Sequence, residues 1–366
     1  MSSIRVPFLD LQREYSEYGN KLVKKVQTAL ASGRFILDEE TAAFEGEFST
    51  YIGTNYSIGV NSGSDALYLA MQAIGVEGHE VIIPSHTFIS TADAVVRNGG
   101  IPVFVDVDPE TYTIDPEAVA EHVNNETAAI VPVHLYGQPA DVDPILEIAE
   151  EHDAAVVEDA SQAHGSTYRG DPVGSLGDIA CFSLYPTKNL GAYGDAGIVV
   201  TDDDDLAERV SMAREYGASE KYRYEFVGVN SRLDEIQAAM LRYKLTRLDE
   251  LNERRREVAA SYDDLLDGVS TPTVEDDRTH VYHLYVVETD DREEFRSYLD
   301  NHGVQTLVHY PTPVHEQPAY EGVGKRGDLS VTERVADRIV SLPMHPWCRE
   351  EEIARVADVV AGFDDA

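Results

Sequence analysis

The sequence predicts an α/β protein in which a large, mostly parallel sheet domain precedes a smaller C-terminal α+β domain. Three observations carry that prediction. Short apolar runs alternate with amphipathic segments through the first two thirds, the pattern of parallel strands joined by crossover helices. After Asp234 the pattern changes to a long helix with a leucine stripe. With 366 residues, 43% of them hydrophobic, the chain is long and apolar enough for two domains, placed at residues 1–245 and 246–366.

Taken in order, strands are predicted at Glu80–Pro84, Ile101–Val105, Ala128–Val133, Ala154–Glu158, Ile179–Ser183 and Gly197–Thr201, with helices near Ser64–Ile74, Asp143–Glu151 and Asp204–Glu215. From Asp234, Leu241, Leu245, Leu248 and Leu251 fall on one face of a helix that links the two parts. A β-like run follows at Val281–Glu288, then a helix around Arg292–His302, a proline-punctuated loop from Pro311 to Pro318, and helices near Thr332–Ser341 and Glu350–Ala361. No repeat or low-complexity linker interrupts the chain, so the two parts are expected to pack as one unit.

Composition narrows the function classes. Lys and Arg total 29 against 67 Asp and Glu, a formal charge of −38 spread along the chain, so nucleic acid is an unfavourable partner. Only seven of the cations are lysines, while acids run together at Asp202–Asp205 and Glu350–Glu352. Such a surface suits concentrated salt, where the Debye length shrinks to about 3 Å at 1 M, so a halophilic cytoplasm is expected. Cys181 and Cys348 form neither a disulfide framework nor a Cys-x-x-Cys pair. The first residues carry no apolar signal segment and no run approaches a membrane span, so a soluble protein not exported by the general route is expected.

Familiar motifs for dinucleotide binding, P-loops, zincins and hydrolase elbows are absent. What remains are four segments that place polar groups at the ends of apolar runs, where open parallel sheets bind ligands. Asn61–Asp65 opens a helix: Gly63 allows close approach of an anion and Ser64 adds a hydroxyl, though Ser62 or Ser64 acting as a simple N-cap explains the same residues. Ala154–Gly165 runs an apolar strand into Glu158 and Asp159, either a buried carboxylate awaiting a cationic partner or an acidic pair on a solvated loop. His164 there reads as a hydrogen-bonded or core histidine, since no other histidine lies at metal-ligand spacing, and no metal is expected. Cys181–Gly191 places Lys188 between a strand end and a turn, where a desolvated amine can form a Schiff base. Lys221–Glu225 and Gly228–Asp234 gather cations and amides that suit an anionic arm, or simply make a solvated loop.

Together these segments resemble the sugar aminotransferases of the DegT/DnrJ/EryC1/StrS family, pyridoxal-phosphate enzymes of fold type I. The resemblance spans nearly the whole chain, through Val6–Leu11, Asn61–Leu67, Val131–Gln138, Glu158-Asp159, Tyr185–Gly191 and Asn230–Asp234. Ser64, Ser161 and Ala196 depart from residues common in the family. The resemblance implies that Lys188 is the lysine that links to the cofactor and Asp159 the partner of its pyridine nitrogen, with Gln162 at the phenolic oxygen. It implies Gly63, Ser64 and Ser183 at the phosphate, with Asn230 from a neighbouring subunit, and Phe88 stacked on the ring. A homodimer with shared sites follows from that arrangement.

The subgroup it resembles most aminates C3 of nucleotide-linked 3-keto-6-deoxyhexoses. By that similarity Tyr185, His309 and Tyr310, with Lys221 of the partner subunit, would contact the sugar nucleotide, with glutamate as amino donor and a cell-surface glycan or glycoconjugate as the downstream product. Two alternatives remain: a dehydratase of the same family, in which histidine replaces the lysine, and a non-catalytic regulator that binds pyridoxal phosphate.

Overall fold

A computed structural model describes residues 5–364. Helices α1 (Leu11–Ser32) and α2 (Glu39–Ile52) come first. Strands β1 (Tyr56–Val60), β2 (Glu80–Pro84), β3 (Ile101–Val105), β4 (Thr127–Ile130) and β5 (Ala155–Asp159) then alternate with α3 (Gly63–Ile74), α4 (Ser90–Arg97), α5 (Pro116–His122) and α6 (Val142–His152). A short hairpin of β6 (Thr167–Tyr168) and β7 (Asp171–Pro172) leads into β8 (Ile179–Ser183) and β9 (Gly197–Thr201). Helix α7 (Asp204–Ala213), the hairpin β10 (Ala218–Glu220) and β11 (Arg223–Tyr224), and helices α8 (Glu235–Leu245) and α9 (Leu248–Leu265) follow. The last third holds β12 (Tyr285–Glu288), α10 (Arg292–Asn301), β13 (Lys325–Arg326), α11 (Ser330–Arg338), β14 (Ile339–Leu342) and α12 (Glu350–Asp364).

The eight-stranded sheet has the order β1-β9-β8-β5-β4-β2-β3-β13. β9 runs antiparallel to both its neighbours and every other pairing is parallel, so the mostly parallel α/β prediction holds. Strand residues alternate between faces. Val81, Ile83, Val157, Cys181 and Val199 pack with the buried face of α3 and with α4 and α7, while Ile82, Val105, Ile130 and Val156 pack against α5 and α6. That alternation fixes which strand-end side chains face the site: Asp159 lies two residues beyond Val157, and Ser183 two beyond Cys181, so both belong to the α3 side.

Beyond the sheet, β12 and β14 pair antiparallel and bury Tyr285, Val287, Val340 and Leu342 against α9, α10 and α12. Packing crosses residue 245 in both directions. Val6 joins this later core, whereas β13 pairs with β3 and Val314, Tyr320 and Leu329 pack into the α3 face of the large sheet.

Three predicted elements change. The long helix after Asp234 is two helices, because α8 packs on α1 and α2 while α9 turns away to pack on α12. Leu241, Leu245, Leu248 and Leu251 are buried all the same. The helix expected over Thr332–Ser341 stops at Arg338, since Ile339, Val340 and Leu342 bury their side chains by pairing as β14 with β12. The strand expected at Ala128–Val133 ends at Ile130, although Val133 still bridges to Asp159.

Candidate active site

At the head of α3, the Ser62 hydroxyl accepts the Asp65 N–H at 3.1 Å, so Ser62 is the cap and Ser64 is left free. The Ser64 hydroxyl instead lies 2.6 Å from that of Ser90, the first residue of α4. Gly63 is required by close approach rather than by its dihedrals: a β-carbon there would sit 2.5 Å from Ser183 Cβ at the end of β8. The open helix terminus, its macrodipole and three serine hydroxyls form a cradle for an anion that a larger residue at 63 would fill.

β5 ends in the Glu158-Asp159 pair, and strand geometry separates their tasks. Asp159 is nearly buried on the α3 side, where its Oδ2 accepts the Thr91 hydroxyl at 2.9 Å and its Oδ1 the Ser161 N–H at 3.2 Å. Glu158, fully buried on the other face, accepts N–H bonds from Gly174 at 2.8 Å, Leu176 at 2.8 Å and Gly177 at 2.9 Å, and the His134 Nε2–H at 3.0 Å. Because the Ala140 N–H donates to His134 Nδ1 at 3.0 Å, Nε2 is the ring nitrogen that donates to Glu158. Burial is the largest influence on Glu158 and works upward, yet these donors together hold its carboxyl below the usual range.

Lys188 lies in a closed turn after β8. Leu184 N–H donates to Ala196 O at 2.8 Å, Ala192 N–H to Leu184 O at 2.8 Å, and Lys188 N–H to Tyr185 O at 2.9 Å. The half-buried amine faces the same cavity as Asp159, and desolvation pushes it down to about 8 against the opposing pull of that carboxylate. This cavity measures about 510 Å³, within the range of small-molecule sites, and Gly63, Ser64, Phe88, Gln162, Ser183, Tyr185, His309 and Tyr310 also line it.

The walls are cross-linked. Gln162 Oε1 accepts the Tyr136 N–H at 2.7 Å and its Nε2 donates to Tyr310 OH at 3.1 Å. The half-exposed Phe88 ring stands 5.7 Å from that of Tyr310, and His309 Nδ1 lies 2.8 Å from Ser341 Oγ on β14. Burial first, then the Lys188 charge, pushes His309 down to about 4, so it is neutral. His164, expected as a hydrogen-bonded or core histidine, is a core residue against Phe182 with neither ring nitrogen hydrogen-bonded.

Two sequence candidates lie elsewhere on this chain. Lys221, at the tip of the β10–β11 hairpin, and Asn230, bridged to Glu215, are both exposed and outside the cavity. Sequence reasoning missed Ser90 and Thr91, which reach the site from the start of α4, and His283, which enters it from the stretch before β12. No local motif marks them. His283 sits inside the predicted run Val281–Glu288, where a lone polar residue in an apolar stretch is the one available signal.

An amine and a carboxylate on one cavity, beside an anion cradle at a helix N-terminus, fit pyridoxal phosphate group by group: aldehyde, pyridine nitrogen and phosphate. These features define a pyridoxal-phosphate site. Residues 17–361 match the DegT/DnrJ/EryC1/StrS aminotransferase family, and the chain belongs to that family. It is 46% identical over 361 residues, covering 97% of this chain and 95% of the relative, to dTDP-3-amino-3,4,6-trideoxy-alpha-D-glucose transaminase of Streptomyces venezuelae. The crystal structure of S. venezuelae DesV superposes with a TM-score of 0.95 at 45% identity, covering 99% of both chains. Bacillus subtilis NtdA, solved with bound cofactor PMP, superposes with a TM-score of 0.92 at 31% identity, covering 99% of this chain and 86% of that one.

Proposed function

We propose that this enzyme moves an amino group from glutamate to a nucleotide-linked keto-6-deoxy sugar, for a cell-surface glycan or glycoconjugate, in a halophilic cytoplasm. The observation that carries the reading is Lys188 and Asp159 facing one cavity beside the Gly63 cradle. The relatives named as dTDP-amino-sugar transaminases supply the substrate class.

When bound, pyridoxal phosphate supplies an electron sink for the charge left at the amino-bearing carbon. Lys188 would hold it through Nζ, and the same amine, when free, would take up the proton from the amino-bearing carbon of the donor and return one to the sugar carbon that receives the amine. A free amine pushed down to about 8 by burial would suit both directions of that transfer. The Asp159 carboxylate, steadied by the Thr91 hydroxyl, would pair with the pyridine nitrogen and favour its protonated form. Gly63, Ser64 and Ser183 hold the phosphate, Phe88 covers one ring face, and Gln162 meets the phenolic oxygen.

Tyr185, His309 and Tyr310 contact the sugar. Asn230 and Lys221, exposed and outside the cavity of their own chain, serve the phosphate and sugar nucleotide of a partner subunit in a homodimer. Tyr222, Tyr224 and Val227 beside them are 80%, 57% and 87% exposed, an apolar patch that such a partner would cover. Residues 1–245 act as the cofactor-binding domain and 246–366 as the smaller domain that brings His309 and Tyr310 to it; residues 1–4, 365 and 366 of that division lie outside the described residues. Among the described residues no helix is long and apolar enough to cross a membrane. The test is amino transfer from glutamate to dTDP-linked 3-keto-6-deoxyhexoses, read by mass spectrometry of the sugar nucleotide. An aminated product supports the reading, and transfer only to keto acids contradicts it.

A further inference from the structure

Two backbone carbonyls fix the tautomer of a histidine in the active-site cavity. Asn252 Nδ2 donates to His164 O at 2.8 Å, which turns Asn252 Oδ1 toward Asn189. Asn189 Nδ2 donates to that oxygen at 2.9 Å and to Val281 O at 2.9 Å, so its own Oδ1 faces His283. A carbonyl cannot swap roles with a donor, so neither amide can be reversed without losing a bond. The His283 Nδ1, 3.3 Å from Asn189 Oδ1, therefore carries the proton.

The ring is neutral. Burial first, then the charges and neighbours that face it, Lys188, Arg255, His309 and His164, hold it well below its ordinary value. Arg255 reinforces this from behind, its Nη1 lying 3.0 Å from Tyr282 O and 3.4 Å from His283 O. A neutral ring with its proton on Nδ1 has a bare Nε2. His283 lines both the catalytic cavity and a neighbouring groove of about 730 Å³, with Thr187 and His309 the other residues common to the two.

Chemistry selects what such an acceptor meets. The phosphate of the cofactor and the carboxylates of an amino-acid donor are themselves acceptors and would be repelled. Apart from the amino groups that pass through the reaction, the donors a sugar nucleotide brings beside the reacting carbon are the sugar's hydroxyls, the ribose hydroxyl and base N–H remaining on the nucleotide arm. We propose that His283 presents its unprotonated Nε2 as a fixed acceptor for a sugar hydroxyl, and so sets specificity in the sugar half of the reaction.

This rests on the keto-sugar reading above, and its test is separable from it. The holoenzyme is assayed in its two half-reactions, glutamate to cofactor and cofactor to sugar nucleotide. In His283→Leu, kcat/KM for the sugar nucleotide is expected to fall about 10- to 100-fold, while the glutamate half-reaction changes less than about three-fold. His283→Gln, which places an amide oxygen near the position of Nε2, recovers part of the loss. Equal loss in both halves means that the ring acts through Lys188 and overturns the proposal, as does no loss.

Should the variants misfold, the wild-type enzyme is tested with sugars in which each hydroxyl is replaced in turn by hydrogen or fluorine. Fluorine accepts but cannot donate, so at the hydroxyl read by His283 the two replacements weaken kcat/KM alike. If every fluoro sugar reacts as well as its parent, this inference fails while the amino-transfer reading stands. If the wild type aminates no keto-sugar nucleotide, both fail.

Discussion

Glu158 and Asp159 are adjacent on β5, yet their carboxylates lie on opposite faces of the sheet: Asp159 lines the cavity, and Glu158 is fully buried, ringed by three backbone N–H groups and His134. One carboxylate is free to meet a ligand because the other holds the turn at 174–177 and the His134 loop to the same strand.

Glu158→Gln should therefore damage stability rather than chemistry. The amide presents an N–H₂ to backbone donors, at a cost of about 2–3 kcal/mol, read as a lowered urea midpoint with the cofactor still bound. The wild-type contribution has a defined pH window. Glu158 titrates lower when folded than when unfolded, so its stabilisation is complete above the unfolded value of about 4.3 and is lost as pH falls through the lower folded value. A Glu158→Gln deficit that persists undiminished at pH 3 would contradict this assignment.

Lys188 acts in the opposite sense. Its folded amine titrates near 8 against an ordinary 10.5, so the unfolded chain binds more protons between those values. Stability of the apoprotein should then rise with pH across that window. Lys188→Met in the apoprotein is expected to raise Tm by about 2 °C at pH 7, an advantage that closes toward pH 10.5. A Met variant less stable than wild type at pH 7 would count against a desolvated amine.

Subunit sharing predicts complementation. Lys188→Ala and Asn230→Ala proteins, each inactive alone, should regain up to about a quarter of wild-type activity after exchange, because a mixed dimer holds one site with both residues intact. Absence of recovery under demonstrated exchange removes Asn230 from the shared site.

The charge of −38 predicts a salt response. Self-repulsion among 67 acids is screened as the Debye length shortens, so Tm should climb steadily between 0.1 and 2 M KCl. A flat or falling curve would argue that the acidic surface is not an adaptation to salt.

Much of this was legible in the sequence where a single strand or helix carried the signal. β2, β3, β8 and β9 match their predicted limits because short apolar runs end at polar residues. Asp159 and Gly63 drew notice at a strand end and a helix start, and Lys188 as one of seven lysines, set between a strand end and a turn; Ser183 came only with the family resemblance. The split between α8 and α9 did not show, since the leucine spacing continues across Thr246 and Arg247 and only the change of packing partner bends the chain. α1 was missed although Asp10 caps it and Gly33 closes it, because few of its residues are buried. Thr91 and His283 act across long sequence separations, which no local pattern reports.

Single-turnover transfer from the amino-loaded enzyme to a nucleotide-linked keto sugar shows whether Lys188 and Asp159 work on one bound cofactor. Asp159→Asn is predicted to retain cofactor yet transfer at least about 100-fold more slowly, and Lys188→Ala to form no covalent link and give no turnover. Wild-type rates in either variant would contradict the account.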